Sequence, residues 1–183
     1  ANEQDVMVLS QLACTAKRLP SSSALPIVWN LVRNGQCARD PQLPLLIWWA
    51  IEGHAIDGLD AILDFLEMGV PAKAEILRET VLPRLIRRYA VDASELGDRA
   101  CVRLLALSGT FNSETELLKG LDEGLQDRTG PGTRKALGTM FSTYASQATG
   151  DAPAPTQSAP VSAELRSAVL DRCNANSNDP LLL

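Results

Sequence analysis

Asp40-Pro41-Gln42-Leu43-Pro44-Leu45-Leu46-Ile47-Trp48-Trp49-Ala50-Ile51-Glu52-Gly53-His54 is the densest apolar stretch of the chain, and it decides the fold. At helical spacing, Leu43, Ile47, Ala50 and His54 share one face. Trp48 and Glu52 take the opposite side, with Leu45 and Trp49 between them. A helix apolar nearly all round needs neighbours on two or more sides, so this one belongs inside a stack of helices. Its unbroken apolar run, Leu43 to Ile51, is far shorter than the roughly 20 residues that cross a bilayer, and no membrane insertion is expected.

The same pattern occurs 34 residues earlier, where Leu9, Leu12, Ala13 and Ala16 align with Leu43, Leu46, Ile47 and Ala50. The shift also places Leu25, Val28, Leu31, Val32 and Gly35 on Leu59, Ile62, Phe65, Leu66 and Gly69. Two amphipathic helices per unit at such a period mark a helical repeat array. The fold class expected is therefore all-α, a right-handed α-solenoid of antiparallel helix pairs with about 8–9 helices. Helices are expected over 3–18, 23–34, 42–55, 58–68, 73–90, 94–108, 113–127, 133–148 and 161–175. They group into repeats over 1–150, with pairs near 1–35, 36–69, 73–108 and 113–148. A Pro/Ala-rich loop, 151–160, follows. Residues 161–183 then carry a further helix and the start of another repeat, since Asp179-Pro180-Leu181-Leu182-Leu183 echoes the opening of the unit at Asp40.

Local signals refine the boundaries. Ser113 with Glu116, and Asp92 with Glu95, have capping-box spacing, and Ser162 suits an N-cap. Gly35, Gly69 and Gly109 stand where helices should stop. Pro83 falls inside a long helical pattern and should kink that helix without ending it.

Composition restricts the chemistry. The 183 residues carry 17 Lys+Arg against 22 Asp+Glu, a net charge of −5 that disfavours nucleic acid as the main partner. A single histidine excludes sites needing two imidazole ligands. Cys14, Cys37, Cys101 and Cys173 are scattered without a C-x-x-C, so free thiols are expected. Gly130-Pro131-Gly132 reads as a turn before a helix, not as a phosphate cradle. No nucleophile elbow, supported carboxylate pair or metal-ligand cluster is present in the sequence. No catalytic, cofactor-binding or metal-binding residue is therefore assigned. The chain opens on Ala1 without a basic or apolar leader, and reads as a mature chain or a piece of a longer one.

The candidate partner-binding residues are Arg84, Arg87, Arg88, Trp48 and Glu52. The three arginines, with Arg78 upstream, form the only dense basic cluster, and Arg84 and Arg88 share a helix face. A solvated face with local pairs such as Arg88 to Asp92 is one reading; an anionic patch on another domain is the functional one. Trp48 and Trp49 suit packing between repeats, although tryptophan also anchors interfaces. His54 reads as a packed, hydrogen-bonded residue near a helix C-terminus, and Glu52 lies on the wrong face to cooperate with it. A small-ligand pocket between helices would have to be bordered by Trp48, Trp49 and His54.

Asp40 to Glu52, together with Ser10-Gln11-Leu12-Ala13-Cys14, resembles the HEAT-like helical region of large planctomycete-type membrane-bound dehydrogenase/haem-binding proteins. The match covers residues 5–52 closely and the remainder in helical rhythm. The resemblance implies HEAT-like helix pairs and a parent protein exported to the cell envelope or periplasm. In that family the helical region lies between a β-propeller and a cytochrome c domain. Haem c would sit on that separate domain, since no C-x-x-C-H exists in this chain. The expected function is a non-catalytic scaffold or spacer contacting other domains of the parent or another protein. The alternative is a ligand- or substrate-binding helical domain contributing to an envelope dehydrogenase or electron-transfer enzyme. A HEAT-like DNA glycosylase is disfavoured by the acidic charge.

Overall fold

Asp5 starts the first helix: its carboxylate accepts the Met7 N–H at 2.8 Å, and α1 runs Val6–Ala16. The computed structural model describes residues 3–68, 75–129 and 161–177. After α1 come α2 (Ser21–Arg33), α3 (Gly35–Arg39), α4 (Leu43–Gly53) and α5 (Leu59–Glu67). A π-helical turn, Leu77–Val81, leads directly into α6 (Leu82–Val91). Then follow α7 (Glu95–Ala106), α8 (Ser108–Phe111), α9 (Glu114–Thr129) and α10 (Ala163–Ser177). Among the described residues all regular structure is helical, as expected. The expected helix over 133–148, the loop 151–160, Gly69 and the Asp179 echo lie outside the described residues.

Pro83 acts as its chemistry requires. It has no N–H to donate and its ring crowds the preceding turn, so the wider π turn before it absorbs the mismatch and the helix continues to Val91. Two cap assignments need correction. Asp92 and Glu95 mimic a capping box, but the cap of α7 is Ser94, whose hydroxyl accepts the Gly97 N–H at 3.0 Å. Asp92 instead receives the Ser94 hydroxyl. Ser113 contributes only its carbonyl, to Leu117 N–H at 2.9 Å, while its hydroxyl is buried without a partner among the described residues. Ser162 does cap α10, accepting the Leu165 N–H at 3.2 Å.

Neither Gly35 nor Gly109 ends a helix. Gly35 begins α3, because Asn34 closes α2 and its side chain accepts the Gln36 N–H at 3.0 Å. Gly109 lies inside the short α8; the left-handed stop is Asn112, at φ 48°.

Residues related by the 34-residue shift share the same environment. Leu9 and Leu43, Ala13 and Ile47, Ala16 and Ala50 are all buried, as are Leu25 and Leu59, Val28 and Ile62, Leu31 and Phe65, Val32 and Leu66. Leu12 departs from the pattern, being exposed where its counterpart Leu46 packs partly against the core. Helix α1 packs on α2 and α4, α4 on the π turn, and α6 on α7 and α9. In parallel, α2 meets α5 through the stacked rings of Trp29 and Phe65, 3.8 Å apart, while α7 packs on α5 and α10.

Charged ties join the helices. Arg103 on α7 reaches Asp64 and Glu67 on α5, at 2.8 and 2.7 Å, with Asp60 at 3.4 Å. A second tie is buried: Arg128 donates to Asp98 at 2.9 Å, with only 3% and 4% of the two side chains exposed. The other Asp98 oxygen accepts the Ser162 N–H at 2.7 Å, joining α7, α9 and the start of α10.

Cys14, Cys37 and Cys101 are free thiols; Cys14 is exposed and the other two are buried. Burial, then the charge of Asp40, pushes Cys37 up to about 11; burial, then Asp98, pushes Cys101 up to about 12. Both thiols therefore prefer to stay protonated in the folded chain. Their stabilisation is complete below the ordinary thiol value of 9.0 and is lost as pH rises through about 11 and 12. Thermal unfolding followed by circular dichroism should show Tm falling over that window, with a smaller fall in the Cys37→Ala/Cys101→Ala variant.

Candidate partner-binding cleft

On α6, Leu82, Leu85, Ile86, Tyr89 and Ala90 all point into the core. With those positions taken, helical periodicity sends residues 84, 87, 88 and 91 outward. On α4, Leu43, Ile47, Ala50 and Ile51 hold the core side, leaving Glu52 exposed and Trp48 at the edge, 6% exposed. The two helices border a cleft of about 330 Å³ lined by Trp48, Glu52, Arg84, Arg87, Arg88 and Val91. All five residues singled out in the sequence thus line one cleft.

The three arginines are not equivalent. Arg87 is held by α9: its Nε and Nη2 donate to Asp127 at 2.9 and 2.7 Å, and its Nη1 to Glu123 at 3.0 Å. The hydrogen bond to Asp127 leads the effects that raise its pKa. Among the described residues, Arg84 donates only to the Thr80 carbonyl, at 3.0 Å. Arg88 has no hydrogen bond or ion pair among the described residues, so the expected local pair with Asp92 does not form. The salt bridges of this face run to α9, 36 and 40 residues away in sequence.

Among the described residues, Arg84 and Arg88, one turn apart, therefore have no carboxylate partner; they stand beside the edge of Trp48 and the half-exposed Val91. Glu52 is the only carboxylate lining the cleft among the described residues. Arginine forks bind carboxylate or phosphate oxygens in planar geometry and keep their proton. Chemically, two such guanidinium groups can hold an anionic group.

Trp49 and His54 lie elsewhere. Trp49 is not core: it is 42% exposed, with the Lys17 ammonium 5.9 Å from its ring centroid. The helix periodicity already placed it on the flank, away from the stripe of Leu43 and Ile47. His54 ends α4, is 5% exposed, and its Nε2 lies 3.1 Å from the Ala16 carbonyl, which fits an Nε2–H donor. Neither residue borders the Trp48 cleft, so that cleft is not the pocket among Trp48, Trp49 and His54 that a small-ligand reading would require.

Asp98 and Arg128, the buried ionic pair, carried no sequence signal because they lie 30 residues apart and each reads locally as a surface helix residue. Among the described residues there is no group of three or more potential metal ligands, and no helix is long and apolar enough to cross a membrane. Comparison with protein families, with curated proteins and with solved structures gives no match to this chain.

Proposed function

We propose that this chain is a non-catalytic HEAT-like scaffold that holds other domains of a larger exported redox protein, or another protein, against its surface. Its helices form a right-handed α-solenoid in this reading, with α1, α4, α6 and α9 as one layer and α2, α5, α7 and α10 as the other. The matched burial of residues 34 positions apart supports the repeat. The parent protein is inferred from the resemblance of residues 5–52.

The observation that carries the partner role is the pair Arg84 and Arg88 beside Trp48. In a chain of net charge −5, two arginines one turn apart at the rim of a cleft have no carboxylate partner among the described residues. An anionic patch on the partner would neutralise them, with an apolar side chain on Trp48 and Val91. Arginine and tryptophan dominate measured interface energies, so a small cleft of this composition suffices as an anchor.

Pull-down tests the reading. The chain, immobilised at low salt, should retain the separately expressed polypeptide segments that flank it in its gene product. Failure to retain any of them would remove the partner role and leave at most a passive spacer.

A further inference from the structure

A second surface lies where α2, α5 and the start of α7 meet. Trp29 and Phe65 stack with an interplanar angle of 6° and fasten α2 to α5. Beside this clasp opens a cleft of about 610 Å³, floored by Leu25, Trp29, Leu59 and Phe65. Three large apolar side chains stand on its edges in solvent: Ile56 at 45% exposed, Met68 at 73% and Leu96 at 47%. Large exposed apolar residues scattered singly need no explanation, but three around one groove do.

We infer that this groove receives a short amphipathic helix bearing basic residues, presented by a partner protein. Length argues for a helix. From Ser21 to Trp29 along α2, and from Leu59 to Met68 along α5, the groove spans about 12–14 Å at 1.5 Å per residue. That accommodates between two and three helical turns, with anchors at i, i+3 or i+4, and i+7.

Charge selects the sign of the partner. Asp57 and Asp60 sit on the rim with side chains 60% and 84% exposed. Asp64 and Glu67 continue the acidic row along α5, and one guanidinium, Arg103, is shared among Asp60, Asp64 and Glu67. Among the described residues these four carboxylates still outnumber the guanidinium groups nearby, Arg103 and the Arg33 that lies 5.3 Å from the Phe65 ring centroid, and a lysine or arginine flanking an apolar face would meet the excess. The floor is apolar, and Ser21, Ser22, Asp57 and Asp60 are at least partly exposed, so among the described residues this lining has no convergent buried donors to orient a small ligand.

The inference extends the scaffold reading to the opposite layer and does not depend on the Arg84 cleft. Its test uses two synthetic helical peptides with the same leucine face, one carrying lysines and one carrying glutamates. Binding is read from the Trp29 indole N–H resonance of the isotope-labelled chain, assigned with Trp29→Phe. The lysine peptide should shift this resonance saturably, and the glutamate peptide should bind at least about tenfold more weakly. Met68→Lys/Leu96→Lys, at exposed positions that leave the core intact, should abolish the shift. Equal response to both peptides, no response to either, or an unchanged response in the double variant would overturn the inference. So would self-association of the chain that shields Trp29 before any peptide is added.

Discussion

Asp98→Ala is expected to cost about 3–5 kcal/mol of folding stability, the largest effect of any single change to a polar side chain here. The reason is what remains behind. Arg128, its side chain 3% exposed, would keep its charge without its carboxylate, and its Nε already lacks a partner among the described residues. The Ser162 N–H would lose its acceptor as well. Removing one member of a buried pair costs far more than replacing both, so Asp98→Leu/Arg128→Met should recover most of the loss. Recovery should stop about 1–3 kcal/mol short, because the Ser162 N–H stays unsatisfied. Urea denaturation of the three proteins measures the series. Hydrogen exchange adds a specific check: α10 should lose protection in Asp98→Ala before α1 or α4 does, since Asp98 is its tie to α7.

The second large effect concerns backbone proximity. Gly120 and Gly124 lie one turn apart on α9, on the face against α6. A Cβ at Gly120 would press into the Pro83 carbonyl and come within 3.0 Å of Ile86 Cγ2. One at Gly124 would lie 2.7 Å from both the Ala90 Cβ and the Arg87 carbonyl oxygen. Alanine favours a helix over glycine by about 0.8–1 kcal/mol, so propensity alone predicts a gain. The collisions outweigh it: they are with backbone, which cannot swing aside, and overpacking costs about 1–3 kcal/mol or more. Gly120→Ala and Gly124→Ala should each destabilise by roughly 2 kcal/mol net. Gly109→Ala, with nothing within 4 Å of the added carbon, should be neutral or mildly stabilising. Equal Tm values for all three would mean that α6 and α9 are not in backbone contact.

These two sites show what local sequence can and cannot carry. The stack around α4 was readable because burial of Leu43, Ile47 and Ala50 follows the helical period, and the matched burial of Leu9, Ala13 and Ala16 was readable because the same period occurs 34 residues earlier. The outward placement of Arg84 and Arg88 followed from the inward placement of Leu85, Ile86 and Tyr89. What joined them to Trp48 was tertiary: α4 packs against the π turn that leads into α6, and no spacing rule encodes that contact. The local pair of Arg88 with Asp92 does not form, and the salt bridges of this face belong instead to Arg87, whose partners lie on α9. Ser94 was overlooked as a cap because Asp92 and Glu95 offer the more familiar pattern around it. The five-residue α3 is too short for a periodicity signal, and Asn34 makes it by capping. The acidic groove draws on α2, α5 and α7, so it exists only once three helices have met.

The Arg84 cleft is where the functional reading is most exposed to refutation. Titration calorimetry of the intact chain against the segments proposed to flank it, with wild type and Arg84→Glu/Arg88→Glu, tests it most directly. Both substitutions fall on outward positions of α6, so the fold should be kept. The prediction is saturable binding that weakens with added salt and drops at least about tenfold in the variant. Binding of equal strength in both proteins, or no heat of binding at any salt concentration, would contradict a scaffold that holds its partner at this cleft.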